Sequence, residues 1–173
     1  MDWLFLLRRE FEGSFQTHST EDVMAEAARS LRRDNPTLDG GIVYNRMHLI
    51  RRNLDEVLPD YTGDIAFSGK DKHDQHVHSA ATACRADLLL TCDNQTDITT
   101  SPEDECYEII HPDQFFLLLA DSTAEPIRKV AREQEEYWRG KSNRTIVEAL
   151  ELAQCPNFAR RVEYETTTRN PVL

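Results

Sequence analysis

The run Ala86-Asp87-Leu88-Leu89-Leu90-Thr91 decides the fold. It is a compact apolar segment bounded by polar loop residues, which predicts a strand buried on both faces. Shorter strand candidates lie on either side, at residues 63–67 and 107–110. Helices are predicted at residues 74–84 and from Pro112 to Leu119, where proline suits the first helical turn. Strands that alternate with helices pair in parallel through right-handed crossovers, so the sequence predicts an α/β protein with a mostly parallel central sheet flanked by helices.

Helical spacing dominates the residues ahead of these strands. A first helix is predicted over residues 2–12 and a second over residues 20–33, with Ser19 as the N-cap of the second. A longer helix follows to about Leu58, and Pro59 is expected to end it. Three helices are therefore expected before the α/β pattern begins.

Beyond Ala120 the apolar spacing is purely helical. Three more helices are predicted there, at residues 123–138, 144–153 and 156–163. The polar tail from Glu165 is expected to be loose. We therefore predict an α/β domain over residues 1–120 and a helical C-terminal extension over residues 121–173.

The charge balance limits the kinds of partner. The 173 residues carry a formal net charge of −11, and the pI is about 5.0. This acidity argues against a protein that coats nucleic acid through a broad basic surface. It remains compatible with an enzyme that meets RNA through a bound cation and a few arginines, and a basic partner is a second interpretation.

Cysteine spacing and the first residues indicate the compartment. The four cysteines are widely separated and form no Cys-x-x-Cys pair, which is typical of a reduced cytoplasmic protein. The apolar run Trp3-Leu4-Phe5-Leu6-Leu7 is only five residues long and is followed, not preceded, by arginines. It is neither a signal peptide nor a membrane span, so no membrane partner is expected.

Three acidic residues lie where an open α/β sheet binds ligands, and a fourth lies separately on a helix. Asp74 begins the helix after the first strand, Asp93 follows the buried strand, and Asp97 lies in the same loop. Glu26 lies in the middle of the second helix, beside its apolar stripe. Because such sheets bind ligands at the carboxyl ends of their strands, we expect the three aspartates to meet there.

A cluster of these carboxylates would need a counter-charge. Two carboxylates about 4 Å apart repel by roughly 4 kcal/mol at an effective dielectric of about 20. Raised pKa values or a bound cation remove that repulsion, and carboxylate oxygens suit Mg²⁺ or Mn²⁺. Each residue also has a structural alternative: Asp74 as a helix N-cap, Asp93 and Asp97 as turn residues, and Glu26 as a surface residue.

Three segments resemble PIN-domain proteins of the bacterial toxin type. They are Asp74-Gln75-His76-Val77-His78-Ser79-Ala80-Ala81, Ala86-Asp87-Leu88-Leu89-Leu90-Thr91-Cys92-Asp93 and Ile109-Ile110-His111-Pro112-Asp113-Gln114-Phe115-Phe116. In that family an Asp begins a helix, a strand ends in Thr-x-Asp or Thr-x-Asn, and a His-Pro-Asp-x-Phe segment begins the next helix. The spacing of Glu21, Glu26 and Leu31 is similar to that of the family helix that bears an acidic metal ligand. Residues 145–158 resemble the helical extension of one subgroup.

The resemblance implies a PIN-like fold and a Mg²⁺-dependent (or Mn²⁺-dependent) endoribonuclease, the toxin of a toxin–antitoxin pair. Glu26, Asp74 and Asp93 would be its metal ligands and catalytic acids. Asp97 would be a fourth catalytic acid, although one residue of loop length determines whether the family's acid matches Thr96 or Asp97. RNA would be the substrate, a cognate antitoxin the protein partner, and a homo-oligomer a further possibility.

The chain departs from the family at its first strand. PIN domains begin with a strand that ends in an Asp and leads into the first helix, whereas Asp2-Trp3-Leu4 already resembles that helix. A misassigned start, a natural truncation and a strand supplied by another chain all remain open. Because the missing strand would be central, we predict that association fills the gap and that the 173-residue protein has little or no ribonuclease activity. The alternative function is an inactive PIN-like module that binds an antitoxin-like partner or RNA without cleaving it.

Overall fold

The computed structural model describes residues 2–167. It is a mixed α/β protein and is 60% helical, which confirms the class expected from the sequence. Its helices are α1 (Asp2–Glu10), α2 (Glu21–Asp34), α3 (Gly40–Asn53), α4 (Gln75–Ala83), α5 (Gln95–Ile98), α6 (Pro112–Ser122), α7 (Glu125–Trp138), α8 (Ile146–Leu152) and α9 (Pro156–Thr167), with 3-10 turns at Lys72–Asp74 and Pro102–Asp104. Its strands are β1 (His18–Thr20), β2 (Glu56–Leu58), β3 (Leu88–Leu90) and β4 (Glu108–Ile110).

The strands form two parallel pairs instead of one central sheet. In the first pair His18 lies opposite Glu56, and Thr20 lies opposite Leu58. The second pair joins β3 to β4, and both of these strands lie where the sequence predicted them. The expected burial of β3 on both faces is wrong, because Leu88 is 38% exposed.

The pairing of β1 with β2 was not expected, and it accounts for the early end of the third helix. Helix α3 ends at Asn53 instead of near Leu58, because the N–H of Asp55 donates to the carbonyl oxygen of Thr17 at 2.9 Å. The Asp55 carboxylate also accepts the N–H of Thr17 at 2.8 Å, which holds the two segments together just ahead of the strands. Residues 63–67, wrongly predicted as a strand, form no regular structure, and the chain after them bonds to helix α5 instead of to another strand.

Contacts divide the chain into two compact units. The helical unit comprises residues 2–15, 90–92 and 110–167, and the α/β unit comprises residues 16–89 and 93–109. Helices α1 and α6 thus belong with the C-terminal helices, which a division at residue 120 does not anticipate. No helix within residues 2–167 is long and apolar enough to span a membrane.

Side chains from three helices build the centre of the helical unit. Leu7 of α1, Ile127 of α7 and Phe158 of α9 are completely buried. Trp3 packs edge-on against Phe158, with ring centroids 5.1 Å apart. Burial of side chains of this size contributes about 1.5–3 kcal/mol each, so the apolar stripes of these helices account for their association.

A buried carboxylate joins α6 to α9 in the same unit. Asp113 is 5% exposed, and its side chain accepts hydrogen bonds from the backbone N–H of Phe158 at 2.7 Å and from the side-chain amide of Asn157 at 2.6 Å. These donors belong to the first turn of α9, where the helix leaves N–H groups without intrahelical partners. Asp113 therefore caps a helix that lies more than forty residues away in sequence.

A second buried carboxylate joins α7 to α9. Glu165 is 6% exposed and pairs with Arg128 at 2.6 Å and with Arg161 at 2.9 Å. Burial by itself would raise the pKa of Glu165, but the hydrogen bonds from the two arginines outweigh it and lower the pKa. The tail predicted to be loose from Glu165 is thus helical as far as Thr167, whereas residues 168–173 lie outside the described part of the chain.

Candidate acidic site

A close approach of two backbone segments brings several aspartates together in the α/β unit. The N–H of Lys70 donates to the carbonyl oxygen of Thr96 at 3.0 Å, and the N–H of Asp71 donates to that of Asp97 at 3.3 Å. A Cβ atom on Gly69 would lie only 2.2 Å from the carbonyl oxygen of Asp97. Glycine at this position therefore permits the approach, and the approach places Asp71 beside helix α5.

The 3-10 turn Lys72–Asp74 leads from this contact into helix α4. Asp71 caps the turn, since its carboxylate accepts the N–H of His73 at 2.9 Å. Asp74 occupies the N-cap position of α4, but its side chain makes no capping hydrogen bond. The Asp74 side chain therefore does not act as a helix cap, although the residue stands at the N-cap position, and its carboxylate is available for another role.

The carboxylate of Asp74 lies in an acidic environment. Its pKa is raised, first because the side chain is partly buried and then because Asp93, Asp71 and Asp97 carry like charges nearby. His76 acts in the opposite direction. Two of the other acids predicted from the sequence, Asp93 and Asp97, are therefore close enough to act on Asp74, and Asp71 is an addition to the set.

Glu26 belongs to a second group of polar side chains in this unit. It lies on helix α2, whose N-cap is Thr20 and not Ser19, because the Thr20 hydroxyl accepts the N–H of Val23 at 3.2 Å. The Glu26 carboxylate is half exposed and lies 3.7 Å from Nε2 of His76. Glu26 is thus placed beside a histidine, and that histidine is close enough to Asp74 to affect its pKa.

His76 is the residue that the sequence analysis missed. Its Nδ1 atom is 2.7 Å from the carbonyl oxygen of His73, one helical turn earlier. An imidazole nitrogen at this distance from a carbonyl oxygen donates its proton to it, so Nε2 of a neutral ring has only a lone pair toward Glu26, and only a ring with a proton on both nitrogens can pair with that carboxylate. The spacing of His73 and His76 by three residues was the available signal.

His78 lies on the opposite side of α4 and has a structural role. It is 4% exposed, and its Nδ1 lies 2.7 Å from the hydroxyl oxygen of Tyr107. Burial, followed by the negative charge of Glu105, raises the pKa of Tyr107 well above its usual range. The phenol therefore stays protonated, and this pair packs the core of the α/β unit instead of contributing to the acidic site.

The donor atoms at this site are of the type that Mg²⁺ prefers. Carboxylate oxygens are its usual protein ligands, and a cation beside Asp74 would offset the repulsion that raises the pKa of this residue. Within residues 2–167, however, no group of three His, Cys, Asp or Glu side chains is close enough together to hold one ion. The convergence of Glu26, Asp74 and Asp93 on a common cation stays a prediction.

Comparison with known proteins adds no assignment. No family model matches the chain, and neither a curated protein nor a solved structure does. The acidic site must therefore be interpreted from its own residues.

Proposed function

We propose that this chain is a PIN-like, toxin-type endoribonuclease of the cytoplasm, which hydrolyses RNA phosphodiester bonds with Mg²⁺ (or Mn²⁺) at its acidic site. The observation that carries the proposal is that Asp74, whose side chain makes no capping bond, lies close enough to Asp93, Asp71 and Asp97 for their charges to raise its pKa. Like charges that are gathered beside a side chain without a capping role are more typical of a binding or catalytic site than of a structural one.

Each residue has a stated role in this proposal. Asp74 and Asp93, with Glu26, would hold the cation, and Asp97 would complete the acidic set. The cation would activate a water molecule and stabilise charge on the phosphate. When both of its ring nitrogens carry protons, His76 would place a positive charge beside the Glu26 carboxylate, which lies 3.7 Å from its Nε2 atom, and Asp71 would fix the turn that presents Asp74.

The two separate pairs of strands support the PIN-like part of the proposal. Each pair has only two strands, so each strand has an edge that no other strand of the described residues covers. A strand edge exposes unpaired N–H and C=O groups, so a strand from a second copy or from an antitoxin-like partner would have groups to pair with. Activity would then depend on that association.

A module that binds RNA or an antitoxin-like partner without cleavage is the second candidate. It is favoured by the absence of a three-donor group within the described residues and by the placement of Glu26 beside His76. The acidic net charge of −11 would attract a basic segment of the partner.

Titration with Mn²⁺ and an RNA cleavage assay distinguish the two candidates. Asp74→Asn removes one carboxylate, and Asp64→Asn, an exposed aspartate of the same unit, is the matched control. We expect calorimetric Mn²⁺ affinity to fall in Asp74→Asn and not in Asp64→Asn. Equal affinity in the two variants would contradict the metal assignment.

Cleavage gives the second readout. If the protein binds Mn²⁺ through Asp74 but leaves RNA intact both alone and with a strand-donating partner, the non-cleaving module is correct. Light scattering on the same samples reports association. A stable monomer that cuts RNA, with cleavage abolished in Asp74→Asn, would show that no additional strand is needed.

A further inference from the structure

The helical unit contains a cavity that the proposed function does not use. Its volume is about 740 Å³, within the range of sites that hold small organic ligands. Helices α1, α6, α7 and α8 and the segment Leu90–Cys92 surround it. Its lining is mainly apolar and includes Trp3, Leu4, Phe116, Trp138, Ile146 and Leu150.

Three aromatic rings line the cavity, and two of them pack against a buried ring of the core. Trp3 and Phe116 both pack against the buried ring of Phe158, with centroid distances of 5.1 Å and 5.0 Å. The third ring, Trp138, is 40% exposed, and its indole N–H donates to the side chain of Gln134 at 3.3 Å. A wall of this kind favours a flat aromatic body, since ring pairs gain energy beyond the area they bury.

The cavity has two charged side chains on its lining, Asp2 and Arg144, and Asp2 already has an interaction partner. Arg144 follows α7, and its backbone N–H donates to the Ser142 hydroxyl at 3.0 Å. Among residues 2–167 no carboxylate oxygen lies within 4.0 Å of its guanidinium, unlike those of Arg9, Arg51, Arg128 and Arg161. The nearby carboxylate of Glu148 is already engaged, because it accepts the N–H of Thr145 at 2.7 Å.

Other arginines in the described part of the chain, such as Arg139, also have no ion pair there, but Arg144 lies on the lining of the apolar cavity. A guanidinium beside an apolar cavity suits a ligand that has an apolar body and one anionic group. We propose that this cavity binds a small aromatic anion, with its ring system between Trp3 and Trp138 and its carboxylate, sulfonate or phosphate on Arg144.

The chain offers a specific readout for this site. It contains two tryptophans, and both line the cavity, so quenching of tryptophan fluorescence reports on binding there. The anionic probe is 8-anilinonaphthalene-1-sulfonate, and the neutral probe is N-phenyl-1-naphthylamine, which has the same aromatic body without the sulfonate. Both probes are expected to bind with one-to-one stoichiometry and to quench the tryptophans by energy transfer.

Arg144→Gln separates charge recognition from apolar burial. We expect it to weaken binding of the sulfonate probe about tenfold, since a charge-assisted hydrogen bond is lost, and to leave binding of the neutral probe unchanged. The matched control is Arg139→Gln, because Arg139 is an exposed arginine in the same segment that does not line the cavity. This variant should bind both probes as the unmodified protein does.

Ala149→Phe tests the location independently. Ala149 lines the cavity and is exposed, so a phenyl group there fills space without displacing the buried core, and circular dichroism checks that the variant folds. Both probes should lose most of their affinity. The proposal is overturned if neither probe quenches the tryptophans, if binding survives Ala149→Phe, or if Arg144→Gln and Arg139→Gln bind the sulfonate probe equally.

Discussion

Replacing Gly69 by alanine should disrupt the acidic site and destabilise the α/β unit. The added Cβ would lie 2.2 Å from the carbonyl oxygen of Asp97 and 2.6 Å from that of Ile98. Real Cβ atoms essentially never approach closer than 3.0 Å, so the two segments must separate by about 0.8 Å. The Phe67 ring, 2.3 Å from the added Cβ, could rotate away, but the two carbonyl oxygens belong to the backbone and could not.

The cost follows from the bonds that hold these segments together. Two backbone hydrogen bonds, from Lys70 to Thr96 and from Asp71 to Asp97, would be stretched or lost. Each contributes about 1 kcal/mol, and the strain of forcing an extra methyl group into a packed site adds about 1–3 kcal/mol. We expect a total loss of about 3–5 kcal/mol, which corresponds to a fall of roughly 9–15 °C in the midpoint of thermal unfolding for a chain of this size.

Gly63→Ala is the matched control. It lies in the same unit, and a Cβ there would meet nothing within 4 Å. Its unfolding midpoint should equal or slightly exceed that of the unmodified protein, because alanine reduces the entropy of the unfolded chain. Thermal and urea unfolding followed by circular dichroism compare the two variants. Equal midpoints for Gly69→Ala and Gly63→Ala would refute the close approach and, with it, the placement of Asp71 beside α5.

Three further predictions concern buried or crowded carboxylates. Asp113→Ala should lower the free energy of unfolding by about 2–4 kcal/mol in urea titrations, because the first turn of α9 loses its acceptor. Asp113→Asn should lower it less. Equal stability of Asp113→Ala and the unmodified protein would contradict this cap. The folded-state pKa of Glu165 is lowered, so its stabilising contribution is complete above the usual value of 4.5 and is lost as the pH falls through the folded-state pKa. The free energy of unfolding of Glu165→Gln should therefore be lower than that of the unmodified protein at pH 7, and the two should converge in acid. A difference that stays constant with pH would argue against the ion pairs. The pKa of Asp74 is raised instead, so its charge opposes folding at neutral pH and ceases to do so below its usual value of 3.8. Asp74→Asn should unfold at a higher temperature than the unmodified protein at pH 7, and this difference in unfolding temperature should disappear below about pH 4. A variant that is less stable at pH 7 would show that no like charges act on Asp74.

Local patterns in the chain were sufficient to predict most of the regular elements. Helices α4, α6 and α7 and the strands β3 and β4 lie close to their predicted positions. Apolar periodicity and the proline at the start of α6 involve residues within one or two turns of each other, so they can be recognised without a structure. Strand β1 has the polar sequence His18–Thr20, and its pairing with β2 depends on residues 38 positions apart, so no local pattern reveals these two strands.

The candidate site likewise has residues that the sequence predicted and contacts that only the structure shows. The position of Asp74 at the start of α4 followed from the sequence, and so did the positions of Asp93 and Asp97 after β3, because the direction of a parallel strand determines where its loop lies. The inclusion of Asp71, the position of Glu26 beside His76 and the capping of α9 by Asp113 came only from the tertiary structure. Such contacts depend on distances of a few ångströms between segments far apart in sequence, and these distances are set by the packing of the whole unit.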